Sequence, residues 1–304
     1  MGKTVEKICF IVNPISGINR KPKKIVQWIK EIFQPSGKKF DIVYTRKPGD
    51  GTQLAREAVE KGYDLVVAVG GDGTINEVSQ SLIYSKAALG VIPAGSGNGF
   101  ARNFKIPLNQ RRAIQILLSP QIIQIDAGKI NNRYFFNVAG TGLDAEISKN
   151  FEQFGMRGPL PYFLIGARSF LKFQPTPVKV YYEQKGFEFS PLFISIANVP
   201  QYGNGAIIAP HARPDDGLLD VCILEDISLL RALFNVHRLF NGTVTEVKEF
   251  HTFQVKQMII ERSQSGPIHT DGNPYEEEAI LKVEVIPKAL HLALKPHSSS
   301  SENR

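Results

Sequence analysis

The chain has 304 residues, a formal net charge of +7, and 42% hydrophobic and 21% charged residues. This composition is ordinary for a globular enzyme, and the length is sufficient for two domains. No segment reaches the roughly 18 uninterrupted apolar residues of a membrane span. The N-terminus does not have the pattern of a signal peptide. We therefore expect a cytoplasmic protein that contacts a membrane only peripherally.

Two features of composition indicate the compartment and the partners of the protein. Cys9 and Cys222 lie in apolar segments, which predicts buried thiols in a reducing compartment rather than a disulfide framework. Residues 1–60 contain twelve Lys and Arg but six Asp and Glu. This excess predicts nucleotide phosphates or an acidic membrane as partners, although a solvated basic face would explain it equally well. Nucleic acid is not expected, because no aromatic-basic pattern or helix-turn-helix is present.

The first 125 residues alternate short apolar segments with segments of helical period. The predicted strands are Ile8–Val12, Phe40–Tyr44, Leu65–Val69 and Leu89–Ile92. The predicted helices are Lys23–Phe33, Gln53–Lys61 with Thr52 as its N-cap, and Ile75–Tyr84. This order predicts an N-terminal three-layer α/β domain over residues 1–127 with a mostly parallel sheet. A C-terminal segment at about 288–296 could return to it.

After Ile125 the pattern changes to short strands separated by turn residues, which is typical of an antiparallel sandwich. We therefore predict a C-terminal β-sandwich domain over residues 128–287. Two helical insertions interrupt it, at about 142–173 and 229–241. Residues 297–304 are polar, and we expect a disordered tail there.

The sharpest motif is the turn from Gly70 to Thr74, which follows one apolar strand and precedes a helix. Its glycines allow the backbone to approach a ligand closely, and a helix N-terminus offers unpaired N–H groups to an anion. A carboxylate beside phosphates requires a cation, so Asp72 is predicted to act through Mg²⁺. The alternative is that Asp72 is only a helix cap.

Two further turns follow neighbouring strands, over residues 13–17 and 93–99. If the strands are parallel, all three turns meet at the carboxyl edge of one sheet, where α/β proteins bind ligands. Neither a Walker A pattern nor a complete G-x-G-x-x-G is present, which argues against a P-loop enzyme and a standard dinucleotide-binding dehydrogenase.

The segments NPISG, GGDGTINEV and PAGSGNGFAR, in this order, resemble the diacylglycerol kinase catalytic-domain family, which includes bacterial lipid kinases and the sphingosine and ceramide kinases. The resemblance continues through residues 137–145, 214–220 and 270–272. It implies an ATP-dependent lipid kinase with Mg²⁺, whose acceptor is a lipid such as diacylglycerol, a sphingoid base or phosphatidylglycerol. GGDGT alone is less specific, because NAD kinases and phosphofructokinases share it.

The resemblance also implies roles for individual residues. Asp271 would be the general base, and Asp72 would act on the phosphates through Mg²⁺. Asp216, with the carbonyls of Arg213 and Leu218, would hold a structural Mg²⁺. The implied ATP site consists of Asn13, Thr45, Gly70, Gly71, Asp72, Gly73, Thr74, Asn76, Gly95 and Ser96.

The chain departs from the family pattern at Asn273, where many members have Glu in a D-G-E motif. Asn cannot accept a proton at neutral pH, so we favour Asp271 as the base. The loop at Ser96 is more similar to that of sphingosine kinases, which leaves the acceptor lipid open.

The acceptor site is predicted from two features. The first insertion is rich in aromatic residues between Phe151 and Phe173, which could line an acyl-chain slot, touch the bilayer or simply form core. Asp144 could hydrogen-bond a lipid headgroup hydroxyl or cap the helix that begins there. The six histidines show no ligand spacing and are assigned no role.

The sequence therefore predicts a two-domain lipid kinase that acts in the cleft between its domains, with its lipid substrate at a membrane surface. An edge of the β-sandwich could form a homodimer. An NAD kinase is the first alternative, because it shares the two-domain plan and GGDGT. A nucleotide-binding sensor without transfer activity is the second, and Asn273 is the residue that supports it.

Overall fold

The computed structural model describes residues 5–17, 22–154, 166 and 168–296. The chain divides into two compact units, of which unit 1 comprises residues 1–125 and 289–304 and unit 2 comprises residues 126–288. The sequence predicted the boundary between the two domains after residue 127 and a return of the chain to the first domain at about residue 288. The chain passes from unit 1 to unit 2 within strand β5 (Gln121–Ile130) and back within strand β18 (Ile280–Leu294).

Unit 1 is built on a parallel sheet with the strand order β2-β1-β3-β4, next to which the end of β18 pairs in parallel with β4. Its strands are β1 (Lys7–Val12), β2 (Lys39–Tyr44), β3 (Leu65–Gly70) and β4 (Ala88–Pro93). Its helices are α1 (Pro22–Phe33), α2 (Asp50–Glu60), α3 (Asp72–Gln80), α4 (Gly99–Asn103) and α5 (Gln110–Ile116), with a 3₁₀ turn at Gln34–Ser36.

The sheet of unit 1 is covered on both faces, which explains why β3 and β4 are apolar throughout. Alternate residues of β1 and β3, such as Phe10 and Val67, pack with Ile29 of α1 and Ile114 of α5 in one buried cluster. The intervening residues face the side of α2 and α3, since successive side chains of a strand point to opposite faces. The predicted three-layer arrangement is confirmed.

Two helix starts differ from the sequence prediction. Helix α2 begins at Asp50, and its N-cap is Gly49 rather than Thr52. The reason is tertiary: the Glu77 carboxylate of α3 accepts hydrogen bonds from the backbone N–H groups of Gly49 (2.9 Å) and Gly51 (3.0 Å). Thr52 lies inside the helix and donates to the carbonyl of Glu77. Helix α3 begins at Asp72 rather than Ile75, so the glycine turn is itself the first helical turn.

Unit 2 is an antiparallel sandwich, as predicted. One sheet has the order β14-β13-β10-β7-β16-β17, and the other contains the first part of β18 with β15, β8 and β9, together with β5 and β6. The strands are β6 (Arg133–Phe135), β7 (Val138–Gly142), β8 (Val178–Tyr182), β9 (Lys185–Phe189), β10 (Pro191–Ala197), β11 (Gln201–Gly203), β12 (Ala206–Ile207), β13 (Leu219–Glu225), β14 (Phe250–Val255), β15 (Gln257–Arg262), β16 (Gly266–Thr270) and β17 (Asn273–Glu277).

The core of unit 2 lies between these two sheets. Ile194, Val221 and Ile268 of the first sheet pack against Ile260 and Leu281 of the second, and all are fully buried. The first helical insertion contains α6 (Leu143–Phe154), and the second contains α7 (Leu229–Asn235) and α8 (Arg238–Asn241), followed by a 3₁₀ turn at Val244–Glu246. The side chains of residues 151–165 lie outside those described, so the predicted acyl-chain slot stays a prediction.

Candidate active site

Three turns at the carboxyl edge of the unit 1 sheet contact one another. The Gly71 N–H donates to the Ser16 hydroxyl (2.8 Å), and the Ala94 N–H donates to the Gly70 carbonyl (2.7 Å). A Cβ atom on Gly95 would lie 2.5 Å from the Cα of Gly71, so a larger residue would force these two turns apart. The predicted convergence of the three turns is therefore confirmed.

The turn over residues 13–17 is also held against its neighbours, by the glycine at its end. Gly17 has a φ of 77°, and a Cβ atom on it would lie 2.3 Å from the carbonyl oxygen of Ala94. Both the left-handed conformation and the close approach require a residue without a side chain. The Asn13 amide donates to the Thr74 hydroxyl (3.0 Å), which connects this turn to the first turn of α3.

A cavity of about 490 Å³ opens beside these turns. Asn13, Gly95 and Ser96, all predicted to bind ATP, line it. So do Lys24 and Trp28 of α1, with the Lys24 Nζ 5.0 Å from the centre of the Trp28 ring. Among the described residues, the lining of the cavity therefore combines backbone, hydroxyl and amide groups with the cation of Lys24 and the aromatic face of Trp28.

The other predicted ATP residues lie at the same sheet edge but outside the cavity lining. Gly70 ends β3 and is buried, whereas Gly73 is exposed in the first turn of α3. Thr74 and Asn76 are buried within α3. Thr45 follows β2, is buried, and its N–H donates to the Val12 carbonyl (3.0 Å).

Asp72 does not cap its own helix, whose N-cap is Gly71. Its Oδ1 instead accepts a hydrogen bond from the backbone N–H of Phe100 in the first turn of α4 (3.0 Å). A carboxylate at that position is stabilised by the positive end of the helix dipole. Among the described residues, the second oxygen of Asp72 has no donor, so it can face a ligand or a cation.

In unit 2, Asp144 is the centre of a buried polar cluster. Its Oδ2 accepts from the Ser195 hydroxyl (3.0 Å) and the Tyr202 hydroxyl (3.2 Å), and it lies 3.2 Å from Nε2 of His269. Its Oδ1 accepts from the N–H of Ala145 (2.8 Å). Both roles predicted for Asp144 therefore have a structural basis: its carboxylate accepts from the first turn of α6 and also faces three hydroxyl or imidazole groups.

The Asp144 cluster is tightly enclosed and incompletely paired. A Cβ atom on Gly140 would lie 2.2 Å from Oδ2 of Asp144, so only glycine fits beside it on β7. The side chain of His269 is 3% exposed, and among the described residues its Nδ1 has no hydrogen-bond partner. A buried imidazole nitrogen without a partner is costly, which is a feature of sites that bind a further polar group.

Asp271 lies at the tip of the β16–β17 hairpin, where Asp271 (φ 50°) and Gly272 (φ 82°) form a turn with two positive φ angles. Its carboxylate accepts from three consecutive backbone N–H groups, those of Phe136 (3.0 Å), Asn137 (2.7 Å) and Val138 (3.2 Å). Asp271 therefore does more than form the hairpin turn, because these three N–H groups hold its carboxylate in a fixed orientation. We call them the backbone cradle of Asp271.

The predicted metal turn contains Arg213, Asp216 and Leu218. Asp216 is exposed, and its Oδ1 accepts from the Leu218 N–H (3.0 Å). Arg213 lies 3.5 Å from Asp215. Burial and the negative charge of Asp216 raise the pKa of the nearby Asp220, partly offset by a hydrogen bond from Gln254.

The oxygen-rich chemistry of this turn is compatible with a hard cation such as Mg²⁺, which would reduce the repulsion between Asp216 and Asp220. The described residues nevertheless contain no cluster of three or more His, Cys, Asp or Glu side chains arranged for a metal. A Mg²⁺ ion here would therefore depend on the Asp216 carboxylate and the carbonyls of Arg213 and Leu218, the set that the family resemblance implies.

Sequence reasoning missed several residues of these sites. Ser195, Tyr202 and His269 were assigned no role, although Ser195 is a polar residue inside an apolar strand and is completely buried. Asp126 was also missed: its carboxylate accepts from the N–H groups of Gly217 and Lys288, both at 2.7 Å. For Ser195 and Asp126, the available signal was a polar residue within an apolar segment of the sequence.

Two family models match the chain. The diacylglycerol kinase catalytic domain matches residues 7–130, and the YegS C-terminal NAD kinase beta sandwich-like domain matches residues 137–294. The chain therefore belongs to the diacylglycerol kinase catalytic-domain family and is a kinase.

Individual proteins agree with the family models. A diacylglycerol kinase of Bacillus subtilis is 33% identical over 225 residues, which is 72% of this chain and 74% of that protein. A probable lipid kinase YegS-like protein of Pseudomonas putida is 32% identical over 86% of this chain and 88% of its own. A crystal structure of a diacylglycerol kinase from Bacillus anthracis shares the fold, with a TM-score of 0.76 at 20% identity over 97% of this chain and 98% of that one.

No helix in the described part of the chain has the length and apolar content needed to traverse a bilayer.

Proposed function

We propose that this lipid kinase transfers the γ-phosphate of ATP to a hydroxyl group of a membrane lipid, with diacylglycerol as the first candidate acceptor. The observation that carries the proposal is the mutual contact of the three glycine turns in unit 1, beside a cavity of about 490 Å³. The names of the Bacillus subtilis and Pseudomonas putida relatives support a lipid as the acceptor.

In this proposal the nucleotide binds at the carboxyl edge of the unit 1 sheet. The glycine turn at the start of α3 allows the phosphates to approach the backbone, and the helix N-terminus attracts their negative charge. Asn13, Ser96 and Lys24 offer an amide, a hydroxyl and a cation from the cavity wall. Phosphoryl transfer depends mainly on such alignment and charge neutralisation.

Two places could hold Mg²⁺. The free oxygen of Asp72 would hold it beside the phosphates, and Asp216 with the carbonyls of Arg213 and Leu218 would hold it in unit 2. Held beside the phosphates, Mg²⁺ would neutralise the charge that develops on the transferred group.

Unit 2 supplies the groups for the acceptor. The acceptor oxygen forms a bond to the γ-phosphorus while the bond from that phosphorus to the oxygen of ADP breaks, and Asp271 accepts the hydroxyl proton. The backbone cradle from Phe136 to Val138 keeps the Asp271 carboxylate oriented for this step. Asp144 hydrogen-bonds a further polar group of the lipid headgroup.

An assay with γ-labelled ATP tests the proposal. The protein is incubated separately with diacylglycerol, a sphingoid base, phosphatidylglycerol and NAD, and the labelled product is identified. We expect label in at least one lipid and none in NADP. Label in NADP alone would identify an NAD kinase and end the lipid proposal.

The same assay tests the assigned residues. The Asp72→Ala and Asp271→Ala variants should form little product, because one loses a phosphate-side carboxylate and the other the proton acceptor. Equal product from the wild type and both variants would exclude these roles. Nucleotide binding without product on any acceptor would support the sensor alternative.

A further inference from the structure

The second helical insertion of unit 2 exposes a set of large apolar side chains. On α7, Leu230 is 69% exposed, Leu233 47% and Phe234 77%, and on α8 Phe240 is 60% exposed. The spacing of the three α7 residues places them on one side of the helix. Val236, between the helices, is 36% exposed. We call these five residues the α7–α8 apolar face.

The α7–α8 apolar face is held in place by the rest of unit 2. Arg231 forms an ion pair with Glu249 and Arg238 forms one with Glu246. Leu239, next to Phe240 in α8, packs against a buried cluster of the sandwich. The apolar residues are therefore displayed by an anchored segment rather than left on a loose loop.

The composition of the segment favours a bilayer as the occupant. From Leu229 to Asn241 it contains Arg231, His237 and Arg238 but no carboxylate, and the acidic partners of the two arginines lie outside it. Helices that combine exposed apolar residues with basic residues are typical of segments that lie in the headgroup region of a membrane.

The size of the segment disfavours a second copy of the chain as the occupant. A stable protein interface uses about 20–30 residues on each side. Helices α7 and α8 have only seven and four residues. A bilayer requires no such matching surface, because the strength of membrane binding scales with the apolar area that is inserted.

We propose that the α7–α8 apolar face is the membrane-docking surface of this enzyme. The proposal rests on the proposed function, which places the acceptor in a bilayer. Leu239 of α8 and Tyr202, whose hydroxyl donates to Asp144, pack against the same buried cluster. The docking surface therefore lies at the part of unit 2 that carries the candidate headgroup residues.

Sedimentation with vesicles of phosphatidylcholine and phosphatidylglycerol tests the proposal directly. Wild-type protein should sediment with the vesicles, and the double variant Leu230→Ser/Phe234→Ser should bind them at least roughly tenfold more weakly, because two inserted side chains are lost. Tyr84→Asn is the matched control: Tyr84 is 71% exposed, belongs to unit 1 and should bind like the wild type. Thermal unfolding checks that all three proteins are folded.

Kinetics separate this proposal from the proposed function. The double variant should lose activity on acceptor lipid presented in vesicles but retain wild-type activity on a short-chain acceptor dissolved in water. Absence of any lipid phosphorylation by the wild type would defeat the proposed function and still leave vesicle binding measurable.

Three outcomes would overturn the docking proposal. The first is a wild type that does not bind vesicles, and the second is a double variant that binds them as well as the wild type does. The third is a wild-type dimer in sedimentation velocity that the double substitution converts to a monomer, which would make the face a contact between two copies.

Discussion

The two candidate sites are built from different groups. In unit 1, the turns at the ends of β1, β3 and β4 approach one another through backbone atoms and glycines, as at Gly71 and Gly95. In unit 2, Asp144 and Asp271 are carboxylates that each accept several hydrogen bonds. Asp144 faces a buried set of side chains, and Asp271 faces three backbone N–H groups.

This difference predicts different consequences of substitution. A site formed by backbone is sensitive to added volume, because a new side chain displaces the turns. A site formed by oriented carboxylates is sensitive to loss of charge or of a hydrogen-bond acceptor. Substitutions in unit 1 should therefore affect nucleotide affinity, and those in unit 2 should affect turnover, acceptor affinity or stability.

The largest effect is expected for Asp271→Asn. The amide oxygen can still accept backbone hydrogen bonds, so the fold should remain, but the proton acceptor is lost. Turnover should fall by about 10²–10⁴-fold, the usual contribution of a general base. The measurement is the rate of labelled lipid formation at saturating ATP. An unchanged rate would remove Asp271 from the chemistry.

The next largest effect is expected for Asp144→Ala. It leaves the buried Ser195 hydroxyl and His269 Nε2 without their shared acceptor. Unpaired buried polar groups cost about 1–3 kcal/mol of the free energy of unfolding, and the KM for the lipid should rise as well.

Urea unfolding measures the stability effect of Asp144→Ala, with Glu146→Ala on the same helix as the control. Glu146 is partly exposed and should change stability by less than about 0.5 kcal/mol. Equal stabilities of the two variants would show that the cluster contributes nothing to the fold.

A smaller effect is expected for Gly95→Ala. Its Cβ would lie 2.5 Å from the Cα of Gly71, so the two turns must separate. We expect ATP affinity to fall by roughly tenfold, about 1.4 kcal/mol, with little change in lipid KM. Gly266→Ala is the control, because its Cβ would meet only Nη1 of Arg262 at 3.7 Å. A larger change in lipid KM than in ATP affinity would contradict the division of roles between the units.

The smallest effect is expected for the reactivity of the two thiols, Cys9 in unit 1 and Cys222 in unit 2. Burial raises the pKa of Cys9 to about 11 and that of Cys222 to about 12. Because the thiolate is the reactive form, both should react with a disulfide reagent far more slowly than a free cysteine.

The Cys9→Ala and Cys222→Ala variants leave one reporter in each unit. We expect the remaining thiol of each variant to react only after local opening, at rates that report unit 2 and unit 1 separately. Rapid reaction of either thiol in the native protein would show that its unit opens more readily than its burial indicates.

Much of unit 1 could be predicted because its signals are local. Strand apolarity, helical period and glycine turns are properties of short segments, and parallel strands bring their carboxyl ends to one edge. The cap of α2 was predicted wrongly at Thr52 because Glu77, on another helix, accepts the N–H groups of Gly49 and Gly51. The preference of Thr for N-cap positions is a local property, so it does not account for a hydrogen-bond acceptor that is distant in sequence.

The candidate sites of unit 2 depended on contacts that no short segment contains. Ser195 and His269 lie 51 and 125 residues from Asp144, and the cradle of Asp271 is contributed by residues about 135 positions earlier. Which side chains meet there is decided by the register of β7, β10 and β16.

By itself, the sequence determined the two-domain plan, the parallel sheet of unit 1, the sandwich of unit 2 and the three glycine turns, because periodicity and glycine content act locally. Only the tertiary structure decided which groups Asp72, Asp144 and Asp271 face and which apolar residues of the second insertion remain exposed. Those outcomes depend on strand register and packing between segments far apart in the chain, which a linear pattern does not encode.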